Sequence, residues 1–139
     1  MTRINCIPVD ELVYEHLLAE YRELPRVYGY VKARVAKGQS PEDVKIPKQY
    51  TLGTGHVTFF YDKLDWINNR YLEICNRLRS MGVNIQYGDL THLVDGIPQE
   101  WFGYYSADNK SMEINRERII DNLEISKLKA IEKKRKGKI

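Results

Sequence analysis

Apolar residues recur at three- and four-residue steps in three stretches of the chain, which is the spacing of amphipathic helices. The first stretch runs from about Asp10, which takes the N-cap position, to about Lys37, where Gly38 can end it. Pro25 lies inside it and lacks the amide hydrogen of the helical ladder, so we predict a kink there. The predicted core stripe comprises Val13, Leu17, Tyr21, Leu24, Tyr28, Val31 and Val35.

The second stretch predicts a helix from about Asp62 to Met81, closed by Gly82. Its buried stripe comprises Leu64, Ile67, Tyr71, Ile74 and Leu78. Between the first two helices lies a long connection, roughly residues 38–61, in which a few extended residues are predicted around Val57 to Phe60. Connections this long inside a compact domain are unusual and often functional.

The third stretch has a weaker pattern, from about Asp108 or Ser111 to Ile131, and is expected to fray into a basic tail at about 127–139. A second long connection, roughly 83–107, precedes it. The inward positions of the third helix are Met112, Ile119, Leu123 and, further along, Leu128. We therefore predict a mainly α fold in which the whole chain, 1–139, forms one compact domain of three helices with long ordered loops.

Composition narrows the class of protein without identifying it. A chain of 139 residues with 42% hydrophobic residues suits one core. No apolar run reaches the roughly 18 to 20 residues that span a bilayer, and no secretion signal is visible, so we expect a cytoplasmic protein. Cys6 and Cys75 lack metal-ligand spacing, which predicts two reduced thiols and no structural zinc site.

The formal net charge is only +3, but the charges are unevenly distributed. Basic residues crowd the first third of the chain, and residues 124–139 carry seven Lys or Arg against two Glu. Such clusters suit contacts with phosphates, although basic tails are common on proteins that bind nothing specific. The charge pattern therefore favours a nucleic-acid partner only modestly.

A helical wheel of the first helix brings charged residues together on a side away from the apolar stripe. This side carries His16, Ala19, Glu23 and Arg26, with Glu15 and Arg22 beside them. From periodicity alone, an ordinary solvated helix face with salt bridges is the favoured interpretation, because most charged helix faces are only solvated.

The N-terminus supplies a second candidate group. Thr2 is small enough for the initiator methionine to be removed, which leaves a free α-amine. An α-amine has a pKa of about 7.7 to 8.0, so roughly a tenth of it is uncharged and nucleophilic at neutral pH. Such an amine can attack the anomeric carbon of a damaged nucleotide and form a Schiff base. Nearby Arg3, Arg22 and Arg26 can lower its pKa, and Glu23 can transfer protons.

Five segments resemble the pyrimidine-dimer DNA glycosylase/AP lyase family of the phage endonuclease V type. The similarity extends in order over about residues 1–123, and motifs of this length in register are highly specific. The segments are MTRIN at 1–5, HLLAEYRELPRVYG at 16–29, LGTGHVTFFYDKL at 52–64, GVNI at 82–85 and DGIPQE at 95–100, the last containing one extra residue, Gly96.

The resemblance implies a fold and a set of functional residues. Members of the family are compact, mostly helical single domains that bind a kinked DNA duplex, extrude a nucleotide and use no metal or organic cofactor. The catalytic amine maps onto Thr2 and the catalytic carboxylate onto Glu23. The DNA-binding or supporting positions map onto Arg3, His16, Arg22, Arg26 and Arg118. We expect a monomer whose partner is damaged double-stranded DNA.

Three departures bear on the substrate. Glu15 stands where the family commonly has glutamine, and Asn122 replaces a lysine that contacts phosphate. Family members carry an aromatic C-terminal segment that recognises the dimer, whereas residues 124–139 contain no aromatic residue. These departures concern the choice of lesion, because Thr2 and Glu23 are retained.

The expected function is excision of cyclobutane pyrimidine dimers, followed by β-elimination at the abasic site through a Schiff base on the N-terminal amine. The first alternative keeps this chemistry and shifts the substrate to abasic sites or oxidised purines. The second is a helical DNA-binding protein without catalysis. The aromatic residues after His56 could stack on bases, but we predict that they pack in the core with His56 hydrogen-bonded, and that Trp66 and Trp101 are core or rim residues.

Overall fold

The computed structural model describes residues 4–86 and 88–136, with the side chains of 135 and 136 left aside. Over this part of the chain the fold contains three α-helices, five single-turn 3₁₀ helices and no strand. The predicted mainly α fold is therefore confirmed, whereas the extended residues predicted near 57–60 are wrong because Thr58–Phe60 is a 3₁₀ turn. The α-helices are α1 (Tyr14–Ala36), α2 (Leu64–Ser80) and α3 (Asn109–Lys136).

Helix α1 begins later than the sequence pattern predicts. Asp10 lies in the 3₁₀ turn Val9–Glu11, and Leu12 follows in an extended conformation with its side chain buried. The N-cap is therefore Val13, without a side-chain hydrogen bond, and not Asp10. The prediction that Val13 belongs to the core is also wrong, since the side chain is 38% exposed where the helix starts.

Both of the first two helices end at the predicted glycines. Gly38 and Gly82 have φ values of 73° and 88°, a region that glycine enters without steric cost. In each case the glycine amide bonds to the carbonyl three residues back, and the next amide bonds to the carbonyl five residues back. This is the Schellman arrangement, which satisfies carbonyls that the helix itself leaves unpaired. Helix α1 continues through Pro25, and the size of the bend there stays a prediction.

Helices α1 and α2 pack side by side and form most of the core. The predicted stripe of α2 is buried at all five positions. Tyr28 of α1 donates its hydroxyl hydrogen to the Leu64 carbonyl at 2.9 Å, and Tyr21 stacks on Tyr71 with ring centroids 5.4 Å apart. These contacts fix the two helices against each other at two points about two helical turns apart along each helix.

The loop aromatic residues pack inward, as predicted. Phe59, Phe60 and Trp101 are almost fully buried, and Trp66 stacks on Phe60 with centroids 5.0 Å apart. Gly103 allows its loop to approach α2 closely, because a Cβ there would lie 2.5 Å from the Asp62 carbonyl oxygen. These contacts order the long connections against the core.

Helix α3 has a packed half and a projecting half. Asp108 caps it, since its carboxylate accepts the Ser111 amide at 2.7 Å. Ile119 is buried as predicted, but Leu128 is 65% exposed, so its inward assignment is wrong. Residues 124–134 are all exposed, and the helix extends beyond the predicted end at Ile131. Across the described residues, none of the helices is apolar over a length that could cross a membrane.

Candidate active site

The chain enters the core at its beginning, where residues 4–7 are all buried. Ile4 is held at both backbone atoms: its amide donates to His56 Nε2 at 3.0 Å, and its carbonyl accepts the Tyr50 hydroxyl at 3.0 Å. Since Nε2 accepts, the His56 proton lies on Nδ1, which donates to the Thr51 carbonyl at 2.7 Å. His56 is therefore hydrogen-bonded, as predicted, and it fixes the position of Ile4.

A buried ion pair holds the next residues from the side of α1 and α2. The Glu20 carboxylate accepts the Asn5 backbone and side-chain amides at 3.2 and 2.8 Å. It also pairs with Arg70 at 2.7 and 3.2 Å, and Arg70 donates to the Ile7 carbonyl. Burial alone would lower the pKa of Arg70, but the charge of Glu20 and the hydrogen bonds to it outweigh burial and raise that pKa.

Helix α3 holds the same residues from the opposite side. Asn115 is fully buried, and its Oδ1 accepts the amides of Cys6 and Ile7 at 2.7 and 3.2 Å. Its Nδ2 donates to Asn5 Oδ1 at 2.8 Å. We call the side chains of Asn5, Glu20, Arg70 and Asn115 the N-terminal clasp. Through it, residues 5–7 are bonded to all three α-helices.

Glu23 lies on α1 one turn after Glu20. Side chains three positions apart on a helix have Cβ atoms about 5–6 Å apart, so the two carboxyl groups lie on neighbouring parts of the surface. Glu23 is only 5% exposed, and its Oε2 accepts Arg26 Nη1 at 3.3 Å. The ordinary solvated face that periodicity allowed does not describe Glu23, although Arg26 itself is largely exposed.

The remaining predicted site residues are distributed between two helices and the start of the chain. Arg22 is exposed on α1, and Arg118 is exposed on α3, three residues after Asn115. The structure thus groups Glu23 with Arg22 and Arg26 on one helix and brings α3 to the same N-terminal segment. Thr2 and Arg3 lie outside the described residues.

His16 is a half-buried member of the predicted site. Its Nδ1 is buried and has no hydrogen-bond partner among the described residues. Burial lowers the pKa of His16 below its ordinary 6.5, although the charges of Glu15 and Glu20 act in the opposite direction. The neutral form of the His16 imidazole is therefore favoured in the folded protein.

The lowered pKa of His16 predicts a dependence of stability on pH. His16 is protonated more readily in the unfolded chain than in the folded protein. The contribution of the neutral imidazole to the free energy of unfolding is therefore present above pH 6.5 and is lost as the pH falls toward the lower pKa of the folded protein. An NMR titration should give His16 a midpoint below 6.5. Replacing it by glutamine should flatten the stability curve between about pH 7 and pH 5. A midpoint at or above the ordinary value would contradict this account of its environment.

Neither cysteine offers a competing nucleophile. Cys6 and Cys75 are both buried and are not joined in a disulfide, which confirms the predicted reduced thiols. Burial raises the pKa of the Cys6 thiol to about 12, so the thiol stays protonated at neutral pH. In the described part of the chain, no three His, Cys, Asp or Glu side chains are grouped to hold a metal ion.

The first two thirds of the chain match a known protein family. A family model described as pyrimidine dimer DNA glycosylase matches residues 1–90. The chain belongs to the pyrimidine dimer DNA glycosylase family. The family that the sequence motifs suggested is thus confirmed, and with it a DNA-repair enzyme whose substrate is DNA.

Membership of the pyrimidine dimer DNA glycosylase family gives the site a definite chemical task. A glycosylase must break the bond between a base and the anomeric carbon of its sugar, which calls for a nucleophile and a group that transfers protons. The matched residues 1–90 include Glu23 and three residues of the clasp, whereas Asn115 and Arg118 lie beyond the match. The clasp itself was not foreseen from the sequence.

Proposed function

We propose that the protein excises pyrimidine dimers from duplex DNA and cuts the strand at the resulting abasic site. In this proposal the α-amine of Thr2 is the nucleophile, and Glu23 transfers protons and stabilises positive charge. The observation that carries the proposal is the anchoring of residues 4–7 beside α1, one helical turn from the buried Glu23 carboxylate.

The reach of the chain supports this pairing of amine and carboxylate. Ile4 is fixed by His56 and Tyr50, and a stretch of two residues spans at most about 7 Å, which limits the distance between Thr2 and Ile4. Asn5 meets Glu20, whose Cβ lies about 5–6 Å from that of Glu23 on the helix surface. The amine of Thr2 can therefore reach the neighbourhood of Glu23 without any rearrangement of α1.

The proposed reaction has two stages. The neutral amine attacks the anomeric carbon, a nitrogen–carbon bond forms, and the bond to the base breaks with its electron pair passing to the base, which takes up a proton. After the amine has lost one proton, the bond between the anomeric carbon and the ring oxygen breaks, its electron pair passes to the oxygen, and the oxygen takes up a proton. The nitrogen and the anomeric carbon are then joined as a protonated Schiff base, an iminium. Removal of a proton from the adjacent sugar carbon expels the 3′ phosphate by β-elimination. In this proposal Glu23 accepts and returns protons and stabilises the iminium charge.

The charge distribution around Glu23 fits a DNA backbone. Arg22 and Arg26 are exposed on the same helix, and Arg118 is exposed on α3. Exposed guanidinium groups can pair with phosphates, and the release of counterions makes such binding favourable at low salt. In the proposal these three residues, with Arg3 and His16, hold the strand on either side of the damaged nucleotide.

Trapping the Schiff base tests the proposal directly. With borohydride present, we expect the protein to form a covalent adduct with a duplex containing an abasic site, and peptide mapping to locate the adduct at Thr2. Mass measurement of the intact protein should show that Met1 has been removed. An adduct on a lysine would exclude the N-terminal amine, and no adduct at all would favour the second alternative, a DNA-binding protein without catalysis.

The substrate requires a parallel incision assay. Because residues 124–139 contain no aromatic residue, the same amine chemistry on abasic sites or oxidised purines is the second candidate function. We expect incision of a duplex that contains a thymine dimer. Incision confined to abasic or oxidised-purine duplexes would instead assign the second candidate.

A further inference from the structure

Asn115 is the clasp residue that lies furthest along the chain from the segment it binds. Its partners Asn5, Cys6 and Ile7 are 108 to 110 positions away, and all are buried. We propose that Asn115 is a positioning residue, which holds residues 5–7 so that the Thr2 amine is aimed at the damaged sugar. The inference rests on the proposed function and adds a residue of α3 to it.

The described hydrogen bonds of the Asn115 side chain all serve the N-terminal segment. This side chain is fully buried, so it cannot touch DNA. Burying a side-chain amide destabilises the folded protein unless its polar atoms are hydrogen-bonded. Here Oδ1 accepts two amides and Nδ2 donates once, so the group is used for that segment alone.

The N-terminal segment depends on side chains for the partners of its buried amides. Residues 5–7 belong to neither a helix nor a strand, so no backbone ladder fixes their amides. Buried amides must find partners elsewhere, and for Cys6 and Ile7 the partner is the single oxygen of Asn115. Among the described residues of α3, no other group accepts a hydrogen bond from the amides of Cys6 and Ile7.

Loss of Asn115 is expected to affect the position of the N-terminal segment more than the folding of the protein. The Glu20–Arg70 pair still holds Asn5 and the Ile7 carbonyl when Asn115 is removed, so the α1–α2 core and the exposed arginines keep their places. A displacement of about 1 Å at a reacting group can cost on the order of 100-fold in rate. Loss of Asn115 is therefore expected to slow the reaction of the amine and leave DNA binding in place.

The test is the variant Asn115→Ala, studied in the full chain with a duplex containing an abasic site. We expect the single-turnover rate of borohydride-trapped adduct formation to fall about 10- to 100-fold while affinity for the duplex changes less than about twofold. Hydrogen exchange should show faster exchange at the Cys6 and Ile7 amides, with protection kept along α1 and α2. A milder variant, Asn115→Ser, should shift the same measurements in the same direction and guards against a failure of Asn115→Ala to fold.

A matched control separates local from global effects. Leu78→Ala removes a fully buried apolar side chain on α2 and takes away no hydrogen bond. Scaled to its folded fraction, this variant should react at the wild-type rate. A wild-type rate in both Asn115 variants, or a parallel loss of rate and affinity matched by Leu78→Ala, would overturn the role of Asn115 alone. Absence of an adduct with wild-type protein would overturn the proposed function, and the role of Asn115 with it.

Discussion

Replacing Glu23 with glutamine is expected to abolish most strand cleavage while the variant still binds duplex DNA. The amide has nearly the shape of the carboxylate, so the buried site beside Arg26 remains filled. It cannot accept a proton or offset the charge of an iminium, and proton transfer by a positioned group contributes typically about 10²- to 10⁴-fold in rate. Single-turnover incision of an abasic duplex measures the loss, and a binding titration measures the affinity.

Glu15 offers a matched control for this variant on the same helix. It is exposed, so Glu15→Gln makes the same chemical change without altering a buried site. We expect its cleavage rate to stay close to that of the wild type and its affinity for DNA to stay equal or rise, because a negative charge near phosphates is removed. Similar losses in the two variants, or full activity of Glu23→Gln, would remove Glu23 from its proposed role.

The largest effect on stability is expected for Arg70→Met. The change leaves the fully buried Glu20 carboxylate without its ion-pair partner and the Ile7 carbonyl without a donor. Breaking a buried pair on one side costs about 3–5 kcal/mol, because an uncompensated charge remains in the interior. Chemical denaturation followed by circular dichroism should show a loss of this size in the free energy of unfolding.

Arg77 supplies the corresponding control on α2. It is exposed, and Arg77→Met should change the free energy of unfolding by no more than about 0.5 kcal/mol. Adding Glu20→Gln to Arg70→Met removes the isolated charge and should recover part of the loss. If Arg70→Met were no less stable than the Arg77 control, the ion pair could not be an important anchor of the clasp.

Periodicity predicted the parts of the fold that depend on local pattern. The stripe of α2 and the stops at Gly38 and Gly82 could be predicted because burial of one face and a left-handed glycine each leave a signal within a few residues. The start of α1 could not, because Asp10 suits both a helix cap and the 3₁₀ turn that it occupies. The inward assignment of Leu128 was wrong for another reason, because periodicity does not show where a helix extends beyond the core.

The clasp was missed because each member finds its partners far along the chain. Glu20 lies between Leu17 and Leu24 on the buried side of α1, and Asn115 stands four residues before Ile119 on α3. A polar residue that interrupts an apolar stripe is the one local signal that could have revealed them, but it does not name the partner. Arg70 and Glu20, 50 positions apart, pair only in the folded chain.

The sequence suggested a chemistry for the site but little of its geometry. The pKa of an α-amine and the grouping of Glu23 with arginines suggested a nucleophile and a proton acceptor, and the family motifs joined the two. The burial of Glu23 was not predictable from the helical wheel, because the wheel places Glu23 away from the apolar stripe. The N-terminal segment, which is bonded to Glu20 one turn earlier on α1, leaves no periodic trace in the sequence.

The separation of 108 to 110 positions between Asn115 and residues 5–7 also sets an order of assembly. Residues 5–7 are therefore expected to be fixed late in folding, since contacts of such long range close late and α3 must be synthesised before they can form. Under the proposed function, a chain that ends before Asn115 would lack the α3 support of the segment that presents the amine, and it should react with an abasic site more slowly than a chain that contains α3.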